Sequence, residues 1–136
     1  MIGKWPTNSN SSNNSSNNSN NTGAAVEQKA SQWLQQQGLK FIAANYHCKA
    51  GEIDIIMRDN EHLVFVEVRY RRQNSFGDGL DSVDWRKQKK LSKAAAFYLL
   101  EHPHYNNLPC RFDVIAARPD GHATLHWTWI KDAFTV

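Results

Sequence analysis

Two apolar runs in residues 51–72, GEIDIIMRDNEHLVFVEVRYRR, are interrupted by acids. Glu52 and Asp54 fall in or beside the first run, and Glu67 falls in the second, with Arg69 two residues further on. A carboxylate buried beside a core is costly unless it is paired or bound to a cation. If the runs are strands that turn between Asn60 and Glu61, positions whose numbers sum to 121 face each other. Asp54 then faces Glu67, Glu52 faces Arg69, and all of them share one face of the hairpin. Directly opposed residues have Cβ atoms about 4.5–5.5 Å apart, where like charges destabilise the pair. The opposition of Asp54 and Glu67 can be relieved in three ways. A divalent cation such as Mg²⁺ or Mn²⁺ suits hard oxygen ligands; Arg69 and Arg71 can neutralise the pair; or the two acids can share a proton. Spacing alone does not choose between the metal and the arginines. With a metal, the chemistry that follows is phosphodiester hydrolysis: polarisation of a phosphoryl oxygen and a lowered pKa for bound water. Arg69 is then placed to stabilise transition-state charge.

These side chains need elements to position them. Residues 51–72 read as a β-hairpin, rich in Ile, Val and Phe around a polar turn. One face carries Ile53, Ile55, Met57, Val64, Val66 and Val68. The acidic face carries Ile56 and Phe65 nearer the turn, so the acids sit at the edge of a second packed layer. Residues 24–37 read as a helix, with Val26, Ala30, Trp33 and Leu34 at helical spacing, Thr22 as N-cap and Gly38 as stop. Glu27 lies in its first turn, where a simple dipole role suffices; if the helix packs over the acidic face, Glu27 adds a further ligand. Residues 39–47 read as a strand or a looser extended segment. Residues 73–83 read as a loop with flexible points at Gly77 and Gly79. Residues 84–101 read as a second helix, capped by Asp84, with Trp85, Leu91, Ala94, Ala95, Tyr98 and Leu99 as its apolar face. Arg86, Lys87, Lys89, Lys90 and Lys93 crowd its first half, where positive charge opposes the helix dipole. Residues 111–117 and 123–129 read as two more strands, and Phe134 packs on the core from a short C-terminal segment. Helix, three strands, helix, two strands is the order of an α/β or α+β domain with a central mixed sheet.

The totals are consistent with one domain. The 136 residues allow one real core. A net charge of +3 suits an acidic partner without requiring one. No apolar run approaches the roughly 20 residues of a membrane span, so no membrane partner is expected. The N-terminal residues show no basic region followed by an apolar stretch, so no signal peptide is expected and the cytoplasm is the expected compartment. Cys48 and Cys110 fit free thiols there, with a bridge between them as the alternative. Residues 7–22 are all Asn, Ser or Thr. They lack apolar surface to offset ordering entropy, so residues 1–22 are expected to form a disordered tail ahead of a folded domain at 23–136.

Asp54 followed by Glu67-Val68-Arg69 resembles the PD-(D/E)xK signature of restriction-endonuclease-like nucleases. More specifically, the chain resembles the YraN family of bacterial proteins, itself similar to archaeal Holliday-junction resolvases. The matching pieces are Gly23 with Glu27 and Ala30; Gly51-Glu52-Ile53-Asp54; Val64 to Arg71; Lys87; Arg111-Phe112-Asp113-Val114; and Trp129-Ile130-Lys131-Asp132-Ala133-Phe134. The resemblance implies an α/β restriction-endonuclease-like core with a central mixed sheet flanked by helices. It implies catalytic roles for Glu27, Asp54, Glu67 and Arg69. It also implies Mg²⁺ or Mn²⁺ held by Asp54, Glu67 and the backbone carbonyl of Val68. Arg69 stands where the superfamily usually has lysine; arginine stays charged, so it binds phosphate or stabilises charge but is no base. Two-site resolution of a DNA junction would further imply a symmetric homodimer.

Each feature also has a plainer reading. Glu52 pairs with Arg69 or shapes the edge of the site. Arg71, Arg72, Lys87 and Lys90 are each explicable as solvated surface, but their clustering beside the acids favours nucleic-acid contact. Asp113 is a structural acid paired with Arg111. The six histidines take surface roles, and Trp85, Trp127 and Trp129 pack in the core or at its edge. Three functions follow: a metal-dependent nuclease acting on DNA, including branched DNA; a nucleic-acid-binding module on a nuclease fold that no longer cleaves; and a protein-interaction domain with an internally neutralised acidic cluster.

Overall fold

The computed structural model describes residues 18–70, 83–122 and 124–135, with backbone only for 18–22. The expectations for Arg71, Arg72, the 73–83 loop up to residue 82 and the first seventeen residues lie outside these. Helix α1 is Asn18–Gln36, β1 Lys40–Cys48, β2 Gly51–Asp59, β3 His62–Tyr70 and α2 Trp85–Glu101; a 3-10 turn at Pro103–Tyr105 leads to β4 Cys110–Pro119 and β5 Leu125–Phe134. The strands form one sheet in the order β1-β2-β3-β4-β5. β3 and β4 run parallel, joined through α2, and the other neighbours are antiparallel. This is the expected α/β architecture.

From Asp59 to Ile55 the hairpin register is as the sequence predicts, but the expected pairs Asp54–Glu67 and Glu52–Arg69 lie beyond the end of the ladder and are not formed. Ile55 pairs with Val66, Ile56 with Phe65, Met57 with Val64 and Asp59 with His62. Asn60 makes the tight turn in a left-handed conformation, φ 45°, which Asn tolerates better than most residues. Alternation along β3 sends Leu63 and Phe65 into one buried cluster and Val64 and Val66 into another. The first cluster contains Leu91, Ala94, Ala95 and Tyr98 of α2; the second contains Ala30 and Leu34 of α1. The helices therefore cover opposite faces, and the sheet is buried between them.

Several expectations are corrected. Ile53 packs in the α2-side cluster while Ile55 packs in the α1-side cluster, so strict alternation is lost through Asp54. Trp85 is 62 % exposed rather than part of the apolar face of α2. It directly follows the N-cap Asp84, whose Oδ1 accepts from the Lys87 N–H at 3.0 Å. α1 begins at Asn18, so Thr22 lies inside the helix rather than capping it. β5 continues to Phe134, which stacks on Phe112 at 4.8 Å.

Asp113 is structural, as expected. It is 1 % exposed and accepts from Arg111 Nε (2.9 Å) and Nη2 (3.0 Å), Trp129 Nε1 (3.0 Å) and the Asp132 N–H (2.9 Å). The last bond bridges the β4–β5 irregularity between Phe112 and Val114. Arg111 also reaches Asp59 at 2.8 Å. This network fastens β2, β4 and β5, running from Asp113, level with Val66, to Asp59 at the hairpin turn. Trp127 and Trp129 pack around Trp33 of α1, at 6.1 and 6.0 Å between ring centroids. Both cysteines are free.

Candidate functional site

The β2–β3 backbone ladder ends at Ile55 and Val66. One step further, Asp54 substitutes its side chain for the missing strand partner: Oδ2 accepts from the Val68 N–H at 2.8 Å. Both carbonyl and N–H of a strand residue face the same neighbour. Leu63 donates to Pro109 on the β4 side, so by alternation Val68 turns both groups the other way. Its carbonyl therefore opens toward the gap that Asp54 occupies.

Asp54 is 8 % exposed and Glu67 9 %. Both helices reach this gap. From α1, the half-buried Glu27 shares a side-chain hydrogen bond with Asp54. From α2, Lys87 Nζ lies 3.4 Å from Glu67 Oε2. Burial, more than any neighbour, pushes the Asp54 carboxyl up to about 8; Glu67 and then Glu27 add to the rise, against the Val68 N–H and Lys87. Burial also raises Glu27, followed by repulsion from Glu52 and Glu67, with the Asp54 hydrogen bond opposing. Protonation of Asp54 would relieve this crowding of negative charge.

Glu27, Asp54, Glu67 and Lys87 are brought together, with the Val68 backbone beside them. Glu52 stands at the rim: it is exposed and pairs with His47 Nδ1 at 3.0 Å, while its charge still bears on Glu27. Arg69 is half-buried on β3, paired along the strand with Ala116, and shares the face of Glu67 by alternation. Lys90 is exposed, one turn along α2, with its Cβ close to Gly51. Gly51 adopts φ 151° there, a conformation that favours glycine, and it starts the strand that carries Asp54. Sequence reasoning assigned Lys87 to a basic face; its direct contact with Glu67 depends on where α2 docks. The one available signal was its place three residues after the Asp84 cap, which puts it in the first turn.

Among the described residues, no group of three or more His, Cys, Asp or Glu is arranged as a ready metal cage. The donor set still suits a hard cation. Mg²⁺ is commonly bound by one or two carboxylates with water and substrate phosphate completing the shell, and Asp54 and Glu67 with the Val68 carbonyl supply that kind of set. A divalent cation would relieve the same repulsion. Among the described residues no helix is long and apolar enough to cross a membrane.

Residues 26–117 match the family described as Uncharacterised protein family UPF0102. The UPF0102 protein of Pseudomonas putida strain GB-1 is 50% identical over 112 residues, covering 82% of this chain and 91% of that protein. The UPF0102 protein of Alcanivorax borkumensis is 46% identical over 113 residues, 83% of this chain and 90% of its own length. That of Xanthomonas oryzae pv. oryzae strain PXO99A is 51% identical over 112 residues, 82% and 89% of the two chains. The match spans α1 to β4, the segment that holds Glu27, Asp54, Glu67 and Lys87, and the chain belongs to the UPF0102 family, the YraN family of the resemblance above.

Proposed function

We propose that this protein is a metal-dependent nuclease that binds DNA and hydrolyses its phosphodiester bonds. The observation that carries this reading is the buried, mutually repelling set of Asp54, Glu67 and Glu27 with one lysine in contact. A packed core seldom keeps such a set without a use for it. Asp54, Glu67 and the Val68 carbonyl would hold Mg²⁺ or Mn²⁺, which when bound polarises a phosphoryl oxygen and acidifies water. Glu27 takes and returns a proton beside Asp54. Lys87 and Arg69 offset charge on the phosphate. Lys90 extends the basic surface along which a nucleic-acid backbone would lie.

A second reading, a nucleic-acid-binding module without turnover, draws support from Arg69, which cannot serve as a base. A titration of the protein against a DNA junction, with and without Mn²⁺, separates the two. The nuclease reading expects cleavage only with metal and none in Asp54→Ala or Glu67→Ala. Equal cleavage by both variants would sink it, and salt-sensitive binding with no turnover under either metal would establish the second reading instead.

A further inference from the structure

Trp85 opens α2 and belongs to neither buried cluster of the described residues. At 62 % exposed it is the largest side chain left open to solvent there. Such exposure wastes the burial a tryptophan can offer. Its surroundings are equally unusual. Arg86 Cζ lies 5.8 Å and Lys89 Nζ 5.4 Å from the ring centroid, both within range of a cation–π contact. The first turn of α2 has no acid, so these cations and Lys87 all oppose the helix dipole. Two residues beyond Trp85, Lys87 is already in contact with Glu67.

An open ring among cations is what a nucleobase with its phosphates requires: a face to stack on and charge for the backbone. A helix is about 10–12 Å across with its side chains, so a base on Trp85 would belong to the same stretch of strand as a phosphate at Lys87. Bases inside a continuous duplex present no free face. We infer that Trp85 is a stacking platform for an unpaired base, and that the preferred substrate carries single-stranded or branched DNA at the site. This rests on the nucleic-acid reading above. Arg86 and Lys89 give up their places over the ring to contact the flanking phosphates when the base arrives.

The test measures binding in EDTA, so that cleavage plays no part. Wild type, Trp85→Ala and Trp85→Phe are titrated with a short oligothymidine and with a duplex of equal length. Trp85→Ala is expected to weaken single-strand binding about tenfold and leave duplex binding nearly unchanged. Trp85→Phe should keep most of the affinity. Tryptophan fluorescence should fall on single-strand binding in the wild type and much less in Trp85→Phe. Unchanged single-strand affinity in Trp85→Ala, or the same loss on both DNAs, overturns the stacking role. Absence of binding to either DNA by the wild type at low salt overturns the nucleic-acid reading and this inference with it. Trp85-dependent binding by a protein that never cleaves overturns the nuclease reading alone.

Discussion

Lys87 crosses from α2 to the Glu67 carboxylate, 3.4 Å from Nζ to Oε2, and its charge also bears on Asp54. The lysine is 42% exposed as a side chain, while Glu67 is 11% exposed. The pair is thus open at the lysine end, toward any substrate, and closed at the glutamate end. A cation in this position serves a phosphate better than it serves the fold, because a partly exposed pair contributes little to stability.

Replacing Lys87 by Ala should therefore separate the two roles. Thermal stability is expected to change by no more than about 1 kcal/mol. Metal-dependent cleavage should fall on the order of a hundredfold, as when one group that stabilises transition-state charge is removed. Lys87→Arg keeps the charge and should retain more activity than the alanine variant. Steady-state rates for the three proteins, with melting curves alongside, check this; a large stability loss with normal turnover would make Lys87 a structural residue.

Metal binding should be visible without any substrate. A cation that binds the folded site and not the unfolded chain raises the melting temperature with its concentration, by about 2.7 kcal/mol at a hundred times its Kd. Mn²⁺ is expected to stabilise the wild type more at about pH 8 than at about pH 6, because metal and proton compete for Asp54. Asp54→Ala should show no shift at either pH. Calorimetric melts over a Mn²⁺ series decide the matter, and equal shifts in wild type and variant would place the metal elsewhere.

Asp113 offers a control in which stability and chemistry part company. Its carboxylate is enclosed and satisfies Arg111, Trp129 and the Asp132 backbone. Asp113→Ala leaves Arg111 with Asp59 as its carboxylate and takes the acceptor from Trp129 Nε1 and the Asp132 N–H, and is expected to cost on the order of 3 kcal/mol. Denaturant titration measures the loss. Cleavage per folded molecule should stay close to wild type at low temperature, since the bonds of this network are made to Arg111, Trp129 and Asp132 and not to Asp54, Glu67 or Glu27.

What could be read in advance follows from the range of each interaction. The β2–β3 register was legible as far as Ile55 and Val66 because a two-residue turn at Asn60-Glu61 fixes those pairs; the break at Asp54, where a side chain replaces the strand partner, was not. Asp54 and Glu67 were legible as acids inside apolar runs. The structural role of Asp113 followed from Arg111 two residues away. Lys87 and Trp85 were harder: periodicity gives a helix face, but the side that meets the sheet is set by docking, and the first turn of α2 stands clear of it at Trp85. The start of α1 was missed because Asn, Ser and Thr are weak rather than forbidden helix formers. The pairing of Glu52 with His47 was missed because the reading weighed β3 as its only neighbour and not β1.

The crowding of acids also sets a pH dependence. Asp54 has an ordinary value of 3.8 and is pushed up to about 8 in the fold. Below about pH 4 the folded and unfolded chains both hold this proton, so it does not affect stability. Between about 4 and 8 the folded state keeps the proton that the unfolded chain has released. Stability must then fall as pH rises across that window, with a slope of at most about 1.4 kcal/mol per pH unit from one group, and level off above it. Glu27 is raised as well and adds to the fall in the same direction. Asp54→Asn removes the titrating group while keeping an acceptor for the Val68 N–H. The variant should match the wild type near pH 4 and become the more stable protein by about pH 8, while losing metal-dependent cleavage. Melting curves of the two metal-free proteins across this range test the sign directly. A difference that stays constant with pH would mean that Asp54 is ionised throughout, and that a fixed cation rather than a proton balances Glu67 and Glu27.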